Sequence, residues 1–460
     1  MSARWPSVPI LALGGGVFLL YTNLPVVLAV DDVLPAAVAL VVPALLAVAA
    51  AHGAVVQRRP IVFDRTLALM CVFLVVLLAG AFVATGPEVA VARIGSFLAE
   101  GLAICFLVRN AVRTPTELRA VIVAALAAAS VLAGLAVFQA ATGAYEQEFL
   151  GLAQRSVDHL EGMPASYALE LGDEDRARGP VDDPNRFAQI LLMVAPLAFV
   201  LQRNASRRRS AIMAGACFAL LVGGVLVTYS RGAFVTMVAL AVLAAAMRLV
   251  SRRRLALGLA ASCLLAPLVA PGYTQRVLSI SGVAGLFGSV EVEADGPTRG
   301  RTTEMLAALA AYIDHPIIGV GPGQYLFHAV EYQALPEVSI RELAVPRRAH
   351  SLYLEMAAES GTFGLLVFTL IPLLLLRDLR VLRLGLARRR PESARLAAGF
   401  SLAVLSYLGT GVFLHLSFER YYWFMIGLTA AAAGLLHRTA ADAGPDDTRA
   451  LSEGAPEAMC

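Results

Sequence analysis

The stretch AIMAGACFALLVGGVLVTYSRGAFVTMVALAVLAAAMRLV, from Ala211 to Val250, is almost continuously apolar. It is long enough for two membrane-crossing helices, because one crossing takes about 20 apolar residues. The turn Tyr229-Ser230-Arg231-Gly232 divides it, and Arg231 is its only charge before the final residues. The sequence therefore predicts a hairpin of two membrane helices with an arginine at the turn.

The composition of the whole chain predicts the same environment. Hydrophobic residues make up 58% of the 460 residues and charged residues 15%. A soluble globule of this size needs more polar surface, so we predict an all-α polytopic membrane protein. The cysteines lie mostly inside apolar runs and fit neither a disulfide framework nor a zinc spacing.

Apolar segments of membrane-crossing length number about twelve. They cover residues 8–28, 34–55, 66–85, 92–110, 117–140, 187–202, 210–229, 232–249, 254–271, 361–376, 396–416 and 421–437. We expect the first to be an anchor, since no small-residue cleavage site follows a short apolar core. Arginines cluster in alternate short turns and acidic residues in the others, which predicts that both termini are cytoplasmic.

The predicted spans divide the chain into six parts. Residues 1–140 hold about five spans, 141–186 form a first external loop, and 187–271 hold spans six to nine with the Ser-Arg-Gly turn. Residues 272–350 form a large external loop between spans nine and ten, 351–437 hold spans ten to twelve, and 438–460 form a cytoplasmic tail. The large loop is expected to be helical. Its stretch Thr302–Asp314 is amphipathic, with large apolar residues on one side: Met305, Leu306, Leu309, Tyr312 and Ile313.

The large loop enters the membrane through RRAHSLYLEMAAESGTFG, from Arg347 to Gly364. In a helix, His350, Leu354, Ala357 and Gly361 would share one face. A histidine at this boundary fits proton transfer, but it also fits a helix cap or a bond to a loop carbonyl. This stretch by itself leaves both interpretations open.

Arginines outside the cytoplasm suggest an anionic partner. A lone Arg231 in an outer turn opposes the orientation signal and would be costly without a counter-charge. The planar guanidinium group of Arg231 presents a fork of hydrogen-bond donors that suits a phosphate group. Alternatively, Arg231 snorkels to the membrane surface, where it binds a lipid phosphate or caps a helix. Further arginines lie near membrane entry points: Arg176, Arg178, Arg186, Arg299, Arg301, Arg341, Arg347 and Arg348. Together they predict a basic cavity suited to a lipid-linked pyrophosphate, whereas each arginine alone could belong to a solvated face.

Four signatures resemble those of the O-antigen ligase and polymerase superfamily of bacterial membrane glycosyltransferases. RARGPVDDPNRFA (Arg176 to Ala188) is similar to an Arg-x-x-Gly and Pro-Asn-x-x-Ala entry to a span, and YSRG (Tyr229 to Gly232) to a Ser-Arg-Gly turn. GRTTEMLAALAAYIDHPIIGVGPGQY (Gly300 to Tyr325) resembles an Arg-led helix that ends in His-Pro-x2-Gly-Val-Gly, although Met305 replaces the usual tryptophan. HSLYLEMAAESGTFG resembles the ligase pattern His-[Asn/Ser]-x9-Gly-x2-Gly.

The resemblance implies that a glycan passes from undecaprenyl pyrophosphate to an acceptor hydroxyl at the periplasmic face of the inner membrane, by inversion at the anomeric carbon. His350 would be the base, and Arg231 and Arg301 would stabilise the leaving pyrophosphate. Substrate-binding roles fall to Arg178, Arg186, Ser230, Arg347 and Arg348. No metal, cofactor or nucleic acid is expected; the partners are the lipid-linked donor, the acceptor and membrane lipids.

Several functions remain open at this point. The pattern His-Ser-x9-Gly-x2-Gly favours ligation of O-antigen to lipid A core over a polymerase or a protein O-oligosaccharyltransferase. A twelve-span transporter is the alternative of another class, although long, asymmetric external connections are unusual for transporters.

Among neighbouring charges, we expect Glu419 to pair with Arg420. We expect Asp182 and Asp183 to form a turn and helix entry and not a metal site.

Overall fold

The computed structural model describes residues 8–30, 35–153, 176–181, 183–257, 296–336, 338, 347–415 and 419–442. Within these ranges all regular secondary structure is helical, so the predicted all-α class is confirmed. Most of the helices follow directly from long apolar runs in the sequence. Capping residues set several of their ends: Thr114 and Glu117 form a reciprocal capping box at the start of the helix Pro115–Thr142, and Gly143 ends it in a left-handed conformation.

The main helices, in chain order, are α1 (Val8–Thr22), α2 (Leu24–Val30), α3 (Ala37–Val56), α4 (Arg65–Ala81), α5 (Pro87–Ala111), α6 (Pro115–Thr142), α7 (Pro184–Asn204), α8 (Arg208–Val227), α9 (Arg231–Ala246), α10 (Gly296–Asp314), α11 (Tyr325–Gln333), α12 (Leu352–Leu386), α13 (Pro391–Thr410) and α14 (Arg420–Ala441). The helices α3 and α5 include π-helical turns at His52–Val56 and Phe97–Ala103.

Five of these helices are long and apolar enough to cross a membrane, namely α3, α5, α6, α7 and α8, and three shorter apolar helices are α1, α4 and α9. The protein is therefore a membrane protein. The segment 254–271 lies mostly outside the described residues, as does the tail from residue 443. The count of about twelve spans, the six-part division of the chain and the sidedness of the turns stay predictions.

The core of the helical bundle lies around α7 and α14. In α7, 78% of the apolar window is buried, against 17% in α8, so α7 is central and α8 peripheral. The helix α7 packs against α8 and α13, and α14 packs against α12 and the C-terminal part of α5. Trp423 of α14 is fully buried and makes edge-on contacts with Phe97 and Phe368. This rigid bundle supports the loops at one end of the molecule.

The helices α10 and α11 form a small helical cap with its own core. Its buried residues are small or aromatic: Ala307, Ala308, Ala311, Tyr325, Ala329 and Tyr332, with Ala358 of α12. The large apolar residues of α10 are not all packed into this core, because Leu309 is 38% and Ile313 64% exposed. The alanine face packs inwards instead, since small side chains let α11 and α12 approach closely.

A glycine-rich turn, residues 315–324, connects α10 to α11 and packs against α12. Gly319, Gly321 and Gly323 have positive φ angles, which glycine adopts without a steric penalty. The backbone N–H groups of Val320 and Gly321 donate to the carbonyl oxygens of Ala358 (2.9 Å) and Glu359 (3.0 Å). These bonds hold the turn against α12.

The helix α12 is broken at Gly361, where φ is 61°. Its first residue is Leu352 and its N-cap is Ser351, so His350 lies before the helix. The prediction that His350 and Gly361 share one helical face is therefore wrong. His350 precedes the N-cap and so lies outside the helix, and the break at Gly361 interrupts the helical repeat.

Gln324 fixes the cap to the turn between α4 and α5. Its Oε1 atom accepts a hydrogen bond from the backbone N–H of Gly86 (2.8 Å), and its Nε2 atom donates to the Gly86 carbonyl oxygen (3.0 Å). Gln324 is completely buried, so both partners are needed to satisfy its amide. The cap is thus held on both sides, by α12 and by this turn.

Candidate active site

His350 lies at the junction between the cap and the bundle. Its φ angle is 43°, an uncommon value for a residue with a Cβ atom, and such strain concentrates at functional sites. The next residues are firmly anchored: the Ser351 hydroxyl caps α12, and the backbone N–H of Leu352 donates to the Gly411 carbonyl oxygen at 2.8 Å. The strained backbone is therefore held in place from its C-terminal side.

The imidazole of His350 faces a buried carboxylate. Its Nε2 atom lies 3.5 Å from Oε2 of Glu304, and the two side chains are 24% and 1% exposed. The other Glu304 oxygen, Oε1, lies 3.8 Å from Nη1 of Arg347. A second imidazole, that of His415, meets His350 edge-on with ring centroids 5.2 Å apart.

The sequence did not single out Glu304 or His415. The only signal for Glu304 is a carboxylate on the otherwise alanine-rich face of α10, one turn after Arg301. His415 lies at the end of a predicted span, where a histidine is unremarkable by itself. Both become recognisable only when the cap is folded against the bundle.

The surroundings of His350 favour its neutral form. Burial, together with the positive charges of Arg301, Arg347 and Arg348, lowers the pKa of His350 to about 4, while Asp183 opposes them. Burial likewise lowers the pKa of His415, with further contributions from His350 and Arg348. A neutral imidazole near pH 7 can accept a proton, which a general base requires.

Arginines from three further segments converge beside this histidine. Burial, together with the nearby charges of Arg301, Arg178 and Arg231, lowers the pKa of Arg176 to about 10, whereas Asp183 opposes them. The Nε atom of Arg176 donates to the Thr228 carbonyl oxygen (2.9 Å), which orients the guanidinium. We call Arg176, Arg178, Arg231 and Arg301 the arginine cluster.

Each member of the arginine cluster has a structural reason for its position. Arg231 is the first residue of α9, directly after the Ser230 N-cap and after Tyr229, which has a φ angle of 53°. Arg301 lies on α10 one turn before Glu304. Like charges repel, so such a cluster is stable only with anionic compensation, and Asp183 is the compensating carboxylate that acts on Arg176.

Three other predicted site residues, Arg347, Arg348 and Ser230, contact partners within the protein. Arg348 pairs with Glu355 at 3.6 Å, and Arg347 with Glu304. The hydroxyl of Ser230 accepts a hydrogen bond from the backbone N–H of Ala233 (3.4 Å), so it caps a helix, and its role in substrate binding stays a prediction.

The predicted pairing of Glu419 with Arg420 is wrong. Glu419 pairs with Arg186, and Arg420 pairs with Glu100 at 2.7 Å. Adjacent residues at a helix start point in different directions, so each reaches a different neighbour. Asp183 is the N-cap of α7, as the predicted helix entry required, and its Oδ1 atom accepts from the N–H groups of Asn185 and Arg186.

Residues 215–369 match a family model described as O-antigen ligase. The matched segment is similar to the O-antigen ligase and polymerase superfamily. No curated protein matches the chain. The family match indicates a membrane glycosyltransferase of the ligase or polymerase type.

The O-antigen ligase match covers most of the described site. It runs from α8 to the second segment of α12, so it includes Arg231, Arg301, Glu304 and His350. Arg176, Arg178, Asp183 and His415 lie outside it along the chain, yet contact or influence the same site. The site is thus built from the matched region together with the segment that leads into α7 and the segment that follows α13.

Proposed function

We propose that this O-antigen ligase-family protein transfers a glycan from undecaprenyl pyrophosphate to an acceptor hydroxyl at the periplasmic face of the bacterial inner membrane. The observation that carries the proposal is the position of the neutral His350 beside the arginine cluster. A base and an anion-binding group in one site are what glycosyl transfer from a pyrophosphate requires.

The arginine cluster would bind the pyrophosphate of the donor. Charge develops on the phosphate oxygens as the anomeric carbon–oxygen bond breaks, and guanidinium groups donate to such oxygens in pairs. Arg231 and Arg301 come from different helices, so they could hold the pyrophosphate from two sides. The polyprenyl chain of the donor would remain in the lipid, next to the apolar helices.

His350 would accept the proton of the attacking hydroxyl. The acceptor oxygen forms a bond to the anomeric carbon on the face opposite the leaving group, which gives inversion. The bond to pyrophosphate breaks with its electron pair, and the hydroxyl proton passes to the imidazole. The arginine charges supply the electrostatic stabilisation that a divalent metal supplies in other glycosyltransferases, so we propose that the reaction is independent of metals.

The acceptor is proposed to be lipid A core, because the sequence HSLYLEMAAESGTFG resembles the ligase pattern. The same site chemistry would serve an O-antigen polymerase or a protein O-oligosaccharyltransferase, since each uses a hydroxyl acceptor. The proposal also places both termini in the cytoplasm, in agreement with the arginines of the short turns.

Deletion of the gene in its native host tests this proposal. Loss of long-chain lipopolysaccharide, with complete glycan accumulating on undecaprenyl pyrophosphate, is the expected result. Accumulation of single repeat units on the lipid would indicate a polymerase instead. An unchanged glycan profile would contradict the proposal and favour a transporter or another polysaccharide. Complementation with His350→Ala, checked for membrane insertion, should fail to restore the lipopolysaccharide.

A further inference from the structure

Glu304 is the most deeply buried charged group beside His350. Its side chain is 1% exposed, and its two oxygens face different groups, the neutral imidazole of His350 (Nε2 at 3.5 Å) and the guanidinium of Arg347 (Nη1 at 3.8 Å). A carboxylate is costly to bury, and the positive charge of Arg347 compensates for part of that cost. The carboxylate therefore has a defined orientation towards the imidazole.

The backbone of Glu304 is also held firmly. The Tyr325 hydroxyl donates a hydrogen bond to the Glu304 carbonyl oxygen at 3.0 Å. One turn further along α10, Ala307 and Ala308 are completely buried in the core of the cap. Since both the helix and its neighbour are fixed, the carboxylate cannot move far from His350 without disturbing the cap.

The two nitrogens of His350 have different surroundings. Nε2 faces the carboxylate, whereas Nδ1 is buried and makes no hydrogen bond among the described residues. The charged and titratable groups around the ring are Arg301, Arg347, Arg348, Asp183 and His415, besides Glu304. A carboxylate at one imidazole nitrogen fixes the tautomer and leaves the other nitrogen as the acceptor.

We propose that Glu304 is the positioning residue for His350: it holds the proton on Nε2 and leaves the lone pair of Nδ1 for the acceptor hydroxyl. This inference rests on the proposed function. During transfer the hydroxyl oxygen bonds to the anomeric carbon, the pyrophosphate leaves with the electron pair, and the hydroxyl proton moves to Nδ1. The imidazolium that forms lies beside the Glu304 carboxylate, which stabilises it.

The test is a double-mutant cycle in proteoliposomes that contain the lipid-linked glycan and an acceptor. Glu304→Gln should lower kcat by about 10- to 100-fold while the KM for the donor changes little, because the pyrophosphate contacts remain. In the His350→Ala background the same substitution should cause no further loss, because there is no imidazole left to position. Glu359→Gln is the matched control. Glu359 is also a buried carboxylate, but it accepts a hydrogen bond from the Gly323 N–H at 2.8 Å, so any effect it has should be the same in both backgrounds.

Two outcomes would overturn the inference. One is full activity of Glu304→Gln, and the other is an equal loss in the wild-type and His350→Ala backgrounds, which would mean a structural role. Should the glutamine variant fail to fold, Glu304→Asp keeps the charge, and its loss should likewise vanish in the His350→Ala background. Full activity of His350→Ala would contradict the proposed function itself, so the two failures are distinguishable.

Discussion

Gly361 of α12 and Ile317 of the glycine-rich turn touch through their backbones. A Cβ atom on Gly361 would lie 2.3 Å from the carbonyl carbon and oxygen of Ile317. Next to this contact, the backbone N–H of Thr362 donates a hydrogen bond to the Pro316 carbonyl oxygen at 2.8 Å. The contact connects the cap to the bundle, and it therefore sets the distance between α10, which carries Glu304, and the start of α12, which follows His350.

Replacement of Gly361 by alanine should weaken this connection. The φ angle of 61° disfavours a residue with a Cβ atom by about 1–2 kcal/mol, and the clash with Ile317 adds to that cost. We expect a lower midpoint of thermal unfolding in detergent and a lower transfer rate. Gly95→Ala is the control, since a Cβ atom there meets nothing within 4 Å. Equal stability of the two variants would contradict the proposed role of the contact.

Loss of either Arg231 or Arg301 should slow glycan transfer. Each alanine variant should reduce kcat by about 10²- to 10³-fold, because a charge aimed at the leaving pyrophosphate is removed. Lysine should restore only part of the rate at each position, since it lacks the planar fork. The measurement is single-turnover transfer in proteoliposomes with equal amounts of inserted protein. Arg253→Ala is the control, because Arg253 is exposed and no part of the site. Near-normal rates for both site variants would exclude the arginine cluster as the pyrophosphate site.

The pH dependence of kcat/KM should report the neutral His350 of the free enzyme. Burial and nearby arginines lower the pKa of His350 to about 4, so the base is neutral throughout the range from pH 6 to 8. We expect kcat/KM to stay level over that range and to fall as the pH drops towards 4. An acidic limb near pH 6.5, the ordinary value for histidine, would contradict the described surroundings.

The acidic limb should move when a neighbouring charge is removed. Arg348 lowers the pKa of His350, so Arg348→Gln should raise that pKa and shift the fall in kcat/KM to higher pH. Arg253→Gln should leave the limb in place. A shift of the limb to lower pH in Arg348→Gln would show that the titrating group is not this histidine.

Variants of the ion pair between Arg186 and Glu419 distinguish a structural role of Arg186 from a role in substrate binding. Arg186→Ala leaves the Glu419 carboxylate, which is 16% exposed, without its described partner. We expect a stability loss of about 1–3 kcal/mol, measured by thermal unfolding in detergent. The double variant Arg186→Glu with Glu419→Arg should recover much of that stability. Recovery of stability without recovery of transfer would show that Arg186 also binds substrate, as the sequence predicted.

Chelation of metals should leave the reaction unaffected. The arginine cluster supplies the positive charge at the leaving group, so transfer in proteoliposomes should proceed at the same rate with EDTA and with added magnesium or manganese. A loss of activity in EDTA that a divalent cation restores would overturn this prediction.

The all-helical class of the molecule and its apolar, membrane-crossing helices could be predicted from the sequence. Membrane helices could be predicted because a long apolar run is a local property, and burial in lipid requires nothing from distant residues. Arg231 at a turn was predictable for the same reason, since turns are encoded by neighbouring residues, whereas the position of His350 before the helix was not predicted. The resemblance to the O-antigen ligase superfamily added the expected roles.

Which side chains contact one another depends on the tertiary structure. Glu304 reaches His350, Arg186 reaches Glu419, and Arg176 joins Arg301, although each pair is far apart in the chain. The buried face of α10 also depends on the tertiary structure, because the alanines of this helix pack more closely against the neighbouring helices than its larger apolar residues would. These choices depend on how helices fit together and on which charges must compensate one another at low dielectric, and neither property is local in sequence.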